Sequence, residues 1–239
     1  MYKAIIPISF LVLLVSFWKR NDLGEDLQRL NILQQAPIQE AIIADEFSVS
    51  VKDKNYNVKP LYEYELYGLV VSYQFHDGNY GLHKSWGDHL NVADICVVWQ
   101  DSAFSNYLAD LDFWNGQFTC NVHTYSNQAW ASFNMNQLSN NHLISADEFI
   151  RDQITDVSIG DQIKITGWLA SYGNENHDIR GTSTTREDTG NGACETIYVN
   201  DFEIIRHYTN VWKKLMYCAL LVLIISIIGY FRQPFKIKQ

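Results

Sequence analysis

The sequence predicts a mainly β protein of the α+β class, with five strands and one helix between two apolar membrane helices. Three observations predict it. An uncharged apolar run stands near each end of the chain, the middle is built from short stretches rich in β-branched and aromatic residues, and one helical stretch separates the third of these from the fourth. With 239 residues, 47% of them hydrophobic, the chain is neither disordered nor of low complexity.

The first element is Ala4–Trp18, a run of fifteen uncharged and mostly apolar residues containing Pro7, with Lys3 before it and Lys19 and Arg20 after it. Its length suits a short membrane helix or a secretory signal. No small-x-small cleavage site closes it, which favours an uncleaved anchor. The last element is Leu215–Phe231, seventeen residues without a charge, or roughly 26 Å of helix against a hydrocarbon core of about 30 Å. Trp212 and Tyr217 flank one end, Tyr230 and Phe231 the other, and Arg232, Lys236 and Lys238 follow without an acid. That basic tail places the C-terminus in the cytoplasm by the positive-inside rule.

Charge is partitioned along the chain. All 27 acidic residues lie between Asn21 and Asn210 with only 10 of the 18 basic ones, a net charge of −17, whereas the ends carry +8. A segment so acidic excludes nucleic acid as the expected partner, because phosphate binding needs a surplus of Lys and Arg. The expected organisation is an anchor over residues 1–20, a helical connector over 21–60, an extracytoplasmic β domain over 61–210, and a membrane helix with a cytoplasmic tail over 211–239. Leu23, Leu27, Leu30 and Leu33, spaced three and four apart before Pro37, are what predict the connector helix.

Within the domain, Leu61–Phe75, Ala93–Trp99 and Gln117–Thr124 read as strands, with Gly68 as a bulge. Ser145–Val157 reads as a helix opened by a capping box of Ser145 and Glu148. Gln162–Tyr172 and Glu195–Arg206 complete the set.

Three strands, a helix and two strands resemble the OB-fold, a five-stranded Greek-key barrel with its helix between the third and fourth strands. Gly160-Asp161-Gln162-Ile163-Lys164-Ile165-Thr166-Gly167-Trp168-Leu169 is similar to the fourth strand of such domains, and Ile197–Ile204 to their closing strand. The whole arrangement resembles uncharacterised bacterial two-transmembrane inner-membrane proteins with an OB-like extracytoplasmic domain. That resemblance implies a plasma-membrane location with both termini cytoplasmic and residues 21–210 outside, and it brings no activity with it.

OB-like loops joining strands 1–2 and 4–5 flank the ligand face. Here they are 76–92 and 173–193, which makes His83, Trp86, His89, Arg180 and Arg186 candidate ligand contacts. The same resemblance makes the third and fifth strands neighbours and suggests a Cys120–Cys194 disulfide; the alternative is three buried reduced thiols in Cys96, Cys120 and Cys194. His83, His89 and His123 with Asp88 or Asp94 are suitable ligand types, but their spacing matches no metal motif, so neither a metal nor a cofactor is expected. Ser183 and the adjacent threonines lack a nucleophile elbow and suit turn-forming hydrogen bonds. The expected function is a membrane-anchored extracytoplasmic binding or scaffold protein that contacts lipid through two helices and an envelope protein or ligand through the loop face. The alternative is a hydrolase-like envelope enzyme using residues 76–92 and 173–193.

Overall fold

The structure, a computed structural model, describes residues 2–24, 27–174, 177–185 and 194–233. Its elements begin with α1 (Tyr2–Trp18), β1 (Ile38–Ala41), β2 (Phe47–Val51), β3 (Lys54–Phe75), α2 (Gly81–Trp86) and β4 (Asn91–Val98). There follow α3 (Gln100–Phe104), β5 (Asp112–Asn115), β6 (Cys120–His123), α4 (Asn127–Ala131), β7 (Leu138–Ile144) and α5 (Glu148–Thr155). β8 (Gln162–Asn174), β9 (His177–Arg180), β10 (Glu195–Arg206) and α6 (Val211–Phe231) complete the chain. It divides into two compact units, residues 1–27 with 209–239, and residues 28–208.

In the terminal unit, α6 has 21 residues, roughly 32 Å, and is long and apolar enough to cross a membrane. The structure has one such helix among the described residues rather than the two expected. α1 has 17 residues with Pro7 inside it and falls short of that length. The two helices run antiparallel. The Tyr2 ring packs so closely on Gly229 that a Cβ there would lie 2.6 Å from it. At the opposite end Asn210 Nδ2 donates to the carbonyls of Arg20 (3.1 Å) and Asp22 (2.8 Å). Only small side chains are buried on these helices: Ser9 and Ser16 on α1, Ala219 and Ser226 on α6.

The larger unit is mixed α+β around an eight-stranded sheet. β3 pairs antiparallel with β4, β4 with β7, β8 with β3 and β10 with β8, while β10 runs parallel to β7. The path of pairings from β3 through β4, β7, β10 and β8 therefore returns to β3. β1 and β2 add to β3, and β9 to β8. One side chain in two along these strands enters a common apolar core of Leu66, Ile95, Val97, Leu143, Ile165 and Val199. α5 adds Ile150 and Ile154 to it.

Four sequence expectations are corrected. The connector is not helical beyond a short 3-10 turn at Asn31–Gln34; β1 and β2 fill it, because Phe47, Val49 and Val51 alternate toward the interior as a strand requires. The third strand of the circuit is not Gln117–Thr124, part of which forms β6 in a separate hairpin with β5, but β7. Asp147, rather than Ser145, caps α5, its carboxylate accepting from the backbone N–H of Phe149 and Ile150. Gly68 is no bulge: it pairs with Ile163 in regular register, and a Cβ there would lie 2.7 Å from Val97 Cβ. Its missing side chain lets β3 and β4 close up.

Candidate functional site

The strand ladder sets the site. Across β4 and β7, Asp94 is the register partner of His142 and Cys96 of Asn140. Ile95 and Val97 point into the apolar core, so Asp94, Cys96, Asn140 and His142 stand on the other face of the sheet. That face is covered too, which is why all eight residues of β4 are buried. The cover is the β5–β6 hairpin, joined to β4 by a Cys96–Cys120 disulfide. Asn115 at the end of β5 accepts from Ser72 Oγ (2.5 Å) and donates to the Asp94 carbonyl (3.2 Å) and Asn140 Oδ1 (3.3 Å). The disulfide corrects the expected Cys120–Cys194 pair: β6 lies over β4 rather than forming the third strand of the circuit, so Cys96 is the partner within reach. Cys194 remains a free thiol, donating to the Phe118 carbonyl at 3.0 Å, and burial pushes its pKa up to about 11.

At the centre of this polar layer Asp94 Oδ1 lies 2.5 Å from His142 Nδ1, and His142 Nε2 lies 3.0 Å from Arg180 Nη2. Guanidinium can only donate, so Nε2 accepts and Nδ1 carries the proton given to Asp94. Burial lowers the His142 pKa, consistent with that neutral ring. For Asp94, burial opposes ionisation but is outweighed by the donors His142 and His76, which hold the carboxyl far below the usual range. The result is an Asp–imidazole–Arg relay whose end charges cancel. Arg180 also sits over the Phe118 ring, 4.2 Å from its centroid.

A second carboxylate–histidine pair adjoins it. His83 on α2 places Nδ1 3.1 Å from Asp88 Oδ2, and the same oxygen accepts from Tyr172 Oη at 2.8 Å. Burial works against the Asp88 charge, yet these two donors bring its pKa below the ordinary value. Burial, with the Asp88 charge beside it, raises Tyr172 well above the phenol range, so this residue is a donor. His76, just past β3, stacks on His83 with ring centroids 4.0 Å apart and places its own Nε2 3.3 Å from Asp94 Oδ1. His76 and His83 line a cavity of about 710 Å³ whose walls include Phe75, Tyr80, Gln117 and Phe118.

The structure brings together His83, Trp86 and Arg180 of the expected contacts, all around Phe118. Trp86 stacks on that ring at 5.4 Å, His83 meets its edge at 5.5 Å, and Arg180 lies over it. His89 is not part of this group; its Nδ1 lies 3.3 Å from the Asp77 carbonyl. Arg186 lies outside the described residues. His123 is elsewhere, packed on Tyr125 at 4.6 Å, and among the described residues no group of three or more His, Cys, Asp or Glu could hold a metal ion. Ser183 donates to the Thr185 carbonyl and accepts from its N–H, the turn bonding its composition suggested. Sequence reasoning missed His142 and Phe118 and weighed Asp94 only as a metal-ligand type. The available signal was polar: Asn140-Asn141-His142 inside Leu138–Ile144 and Asp94 inside an apolar strand are side chains that a buried ladder must satisfy.

Comparison of the chain with protein-family models, with curated proteins and with solved structures finds no match in any of the three.

Proposed function

We propose that this is a membrane-anchored binding protein of a bacterial cell envelope, with its acidic domain on the extracytoplasmic side and a ligand taken up in the cavity beside His83 and Phe118. The observation that carries the proposal is that cavity: it joins exposed aromatic rings, Tyr80 at 79% and Phe75 at 40% exposure, to the buried His83 imidazole fixed by Asp88. Exposed rings beside fixed polar groups are what a ligand site needs, and a mere turn does not.

The wider arrangement supports the same reading. The circuit of five strands, with β7 parallel to β10 and α5 between β7 and β8, favours an OB-like barrel, whose first loop supplies α2 and His83. The length and apolarity of α6 favour a membrane anchor at the C-terminal side of the domain, and the basic tail favours the cytoplasm for its far end. Among the described residues the cavity lining contains no Lys or Arg, which speaks against a nucleic acid.

The test is a photo-reactive amino acid at Tyr80 of the full chain in living cells. An adduct that forms with Phe118 intact and is lost in Phe118→Ala is the expected result. Equal adducts in both, or none in either, would sink the proposal.

A further inference from the structure

Two imidazoles face one cavity: Asp88 backs His83, and Asp94, whose Oδ1 is shared with His142 Nδ1, lies beside His76. Asp88 takes His83 Nδ1 at 3.1 Å, and Asp94 lies 3.3 Å from His76 Nε2. The Asp88 hydrogen bond leaves His83 Nε2 over; His76 Nε2 faces Asp94 in an ion-pair contact without a hydrogen bond, so Nδ1 is the His76 nitrogen turned from that carboxylate. His83 Nε2 and His76 Nδ1 have no partner among the described residues, although both residues line the cavity. The rings stand 4.0 Å apart at 31°, and both residues line the same cavity. A carboxylate that fixes the proton on one imidazole nitrogen leaves the other to take or give a proton.

We infer that His83 and His76 are an acid–base pair that hydrolyses a neutral ester held in this cavity; the inference rests on the cavity being the ligand site. The lining sets the substrate class. Among the described residues it carries Asp77 and no Lys or Arg, which disfavours phosphate and carboxylate substrates. Phe75, Tyr80 and Phe118 offer apolar surface to an acyl or aryl group, and the amides of Gln74 and Gln117 are N–H donors for the carbonyl oxygen as it becomes negative. His83 Nε2 takes a proton from water, and the water oxygen bonds to the carbonyl carbon. The carbon–oxygen bond to the alcohol then breaks, and the departing oxygen takes a proton from protonated His76 Nδ1. Transfer of one proton from His83 back to His76 restores both, with acid and alcohol as products. Asp88, fixed further by Tyr172 Oη at 2.8 Å and the Asn91 N–H at 3.2 Å, is a positioning residue for His83.

The full chain in detergent is assayed with p-nitrophenyl acetate and with ethyl butyrate. General base catalysis is worth about 100-fold or more, so His83→Ala should lose about that factor in kcat/KM on both esters. Free imidazole should restore part of this loss after subtraction of its own background. Nitrophenolate leaves without a proton and ethoxide does not, so His76→Gln should slow ethyl butyrate much more than p-nitrophenyl acetate. His83→Gln, close in size, guards against a folding defect, and Asp88→Asn should lower kcat more than it raises KM. Wild-type rates equal to those of His83→Gln overturn the inference, as does faster cleavage of bis(p-nitrophenyl) phosphate than of either ester. If hydrolysis is absent while the Phe118-dependent adduct at Tyr80 persists, the acid–base pair is refuted and the ligand site stands. Loss of both refutes both.

Discussion

Asp94 and His142 face each other as register partners across β4 and β7, and their side chains meet at 2.5 Å on the sheet face turned away from the apolar core. The ladder itself thus sets the distance of the pair, and Arg180 completes it from β9 at 3.0 Å. A polar layer this well buried is a structural commitment: each member depends on the others for its hydrogen bonds. Removing the central ring leaves a carboxylate and a guanidinium buried without their shared partner. His142→Ala should cost about 3–5 kcal/mol, read as a large fall in the melting temperature of the detergent-solubilised chain. His142→Gln, which keeps a donor and an acceptor, should lose less.

The same layer makes stability depend on pH. The folded pKa of His142 lies below its ordinary 6.5, so the unfolded chain takes up this proton first on acidification. The stabilisation is complete above pH 6.5 and is lost as the pH falls toward the folded value. Asp94 and Asp88, both lowered from 3.8, add a second loss that begins only below about pH 4. Melting temperatures recorded from pH 8 to pH 2 should fall in two stages, and His142→Gln should remove the first.

The Cys96–Cys120 bond closes a loop over 24 positions of sequence, and a cross-link of that span stabilises by about 3 kcal/mol. Reduction should lower the melting temperature, and Cys96→Ser should lower it by a similar amount. Peptide mapping of unreduced protein should recover Cys96 joined to Cys120 and Cys194 as a free thiol. A Cys120–Cys194 peptide would contradict the structure.

Gly68 permits the close approach of β3 to Val97. Gly68→Ala should destabilise by about 1–3 kcal/mol through overpacking, and Val97→Ala introduced with it should recover part of the loss. An additive double variant in thermal melts would show that the contact is not the cause.

Much of the β architecture was legible because Ile163, Ile165 and Leu169 alternate with polar residues, as do Ile197, Val199 and their neighbours in β10. Strand β7 was not. Leu138–Ile144 is polar at four consecutive positions, Ser139 to His142, and period-2 reasoning assigns polar side chains to solvent, whereas here a hairpin covers one face. Taking Gln117–Thr124 as the third strand then misplaced Cys120 and produced the wrong disulfide. The site was half legible for the same reason. His83, Trp86 and Arg180 stand out in or beside long connections, but the groups that fix them, Asp94, His142 and Phe118, are joined only by strand register and by the hairpin's fold over the sheet.

On the proposed topology the cavity beside His83 opens on the extracytoplasmic side of a membrane, with α6, long and apolar enough to span it, as the anchor. The most direct measurement is labelling of Tyr80→Cys in intact cells with a small membrane-impermeant maleimide, read against the parent chain, whose free cysteines are Cys194 and Cys218. The account expects labelling above that background in intact cells, equal in extent to labelling after lysis. Labelling of Tyr80→Cys that appears only after lysis would contradict it.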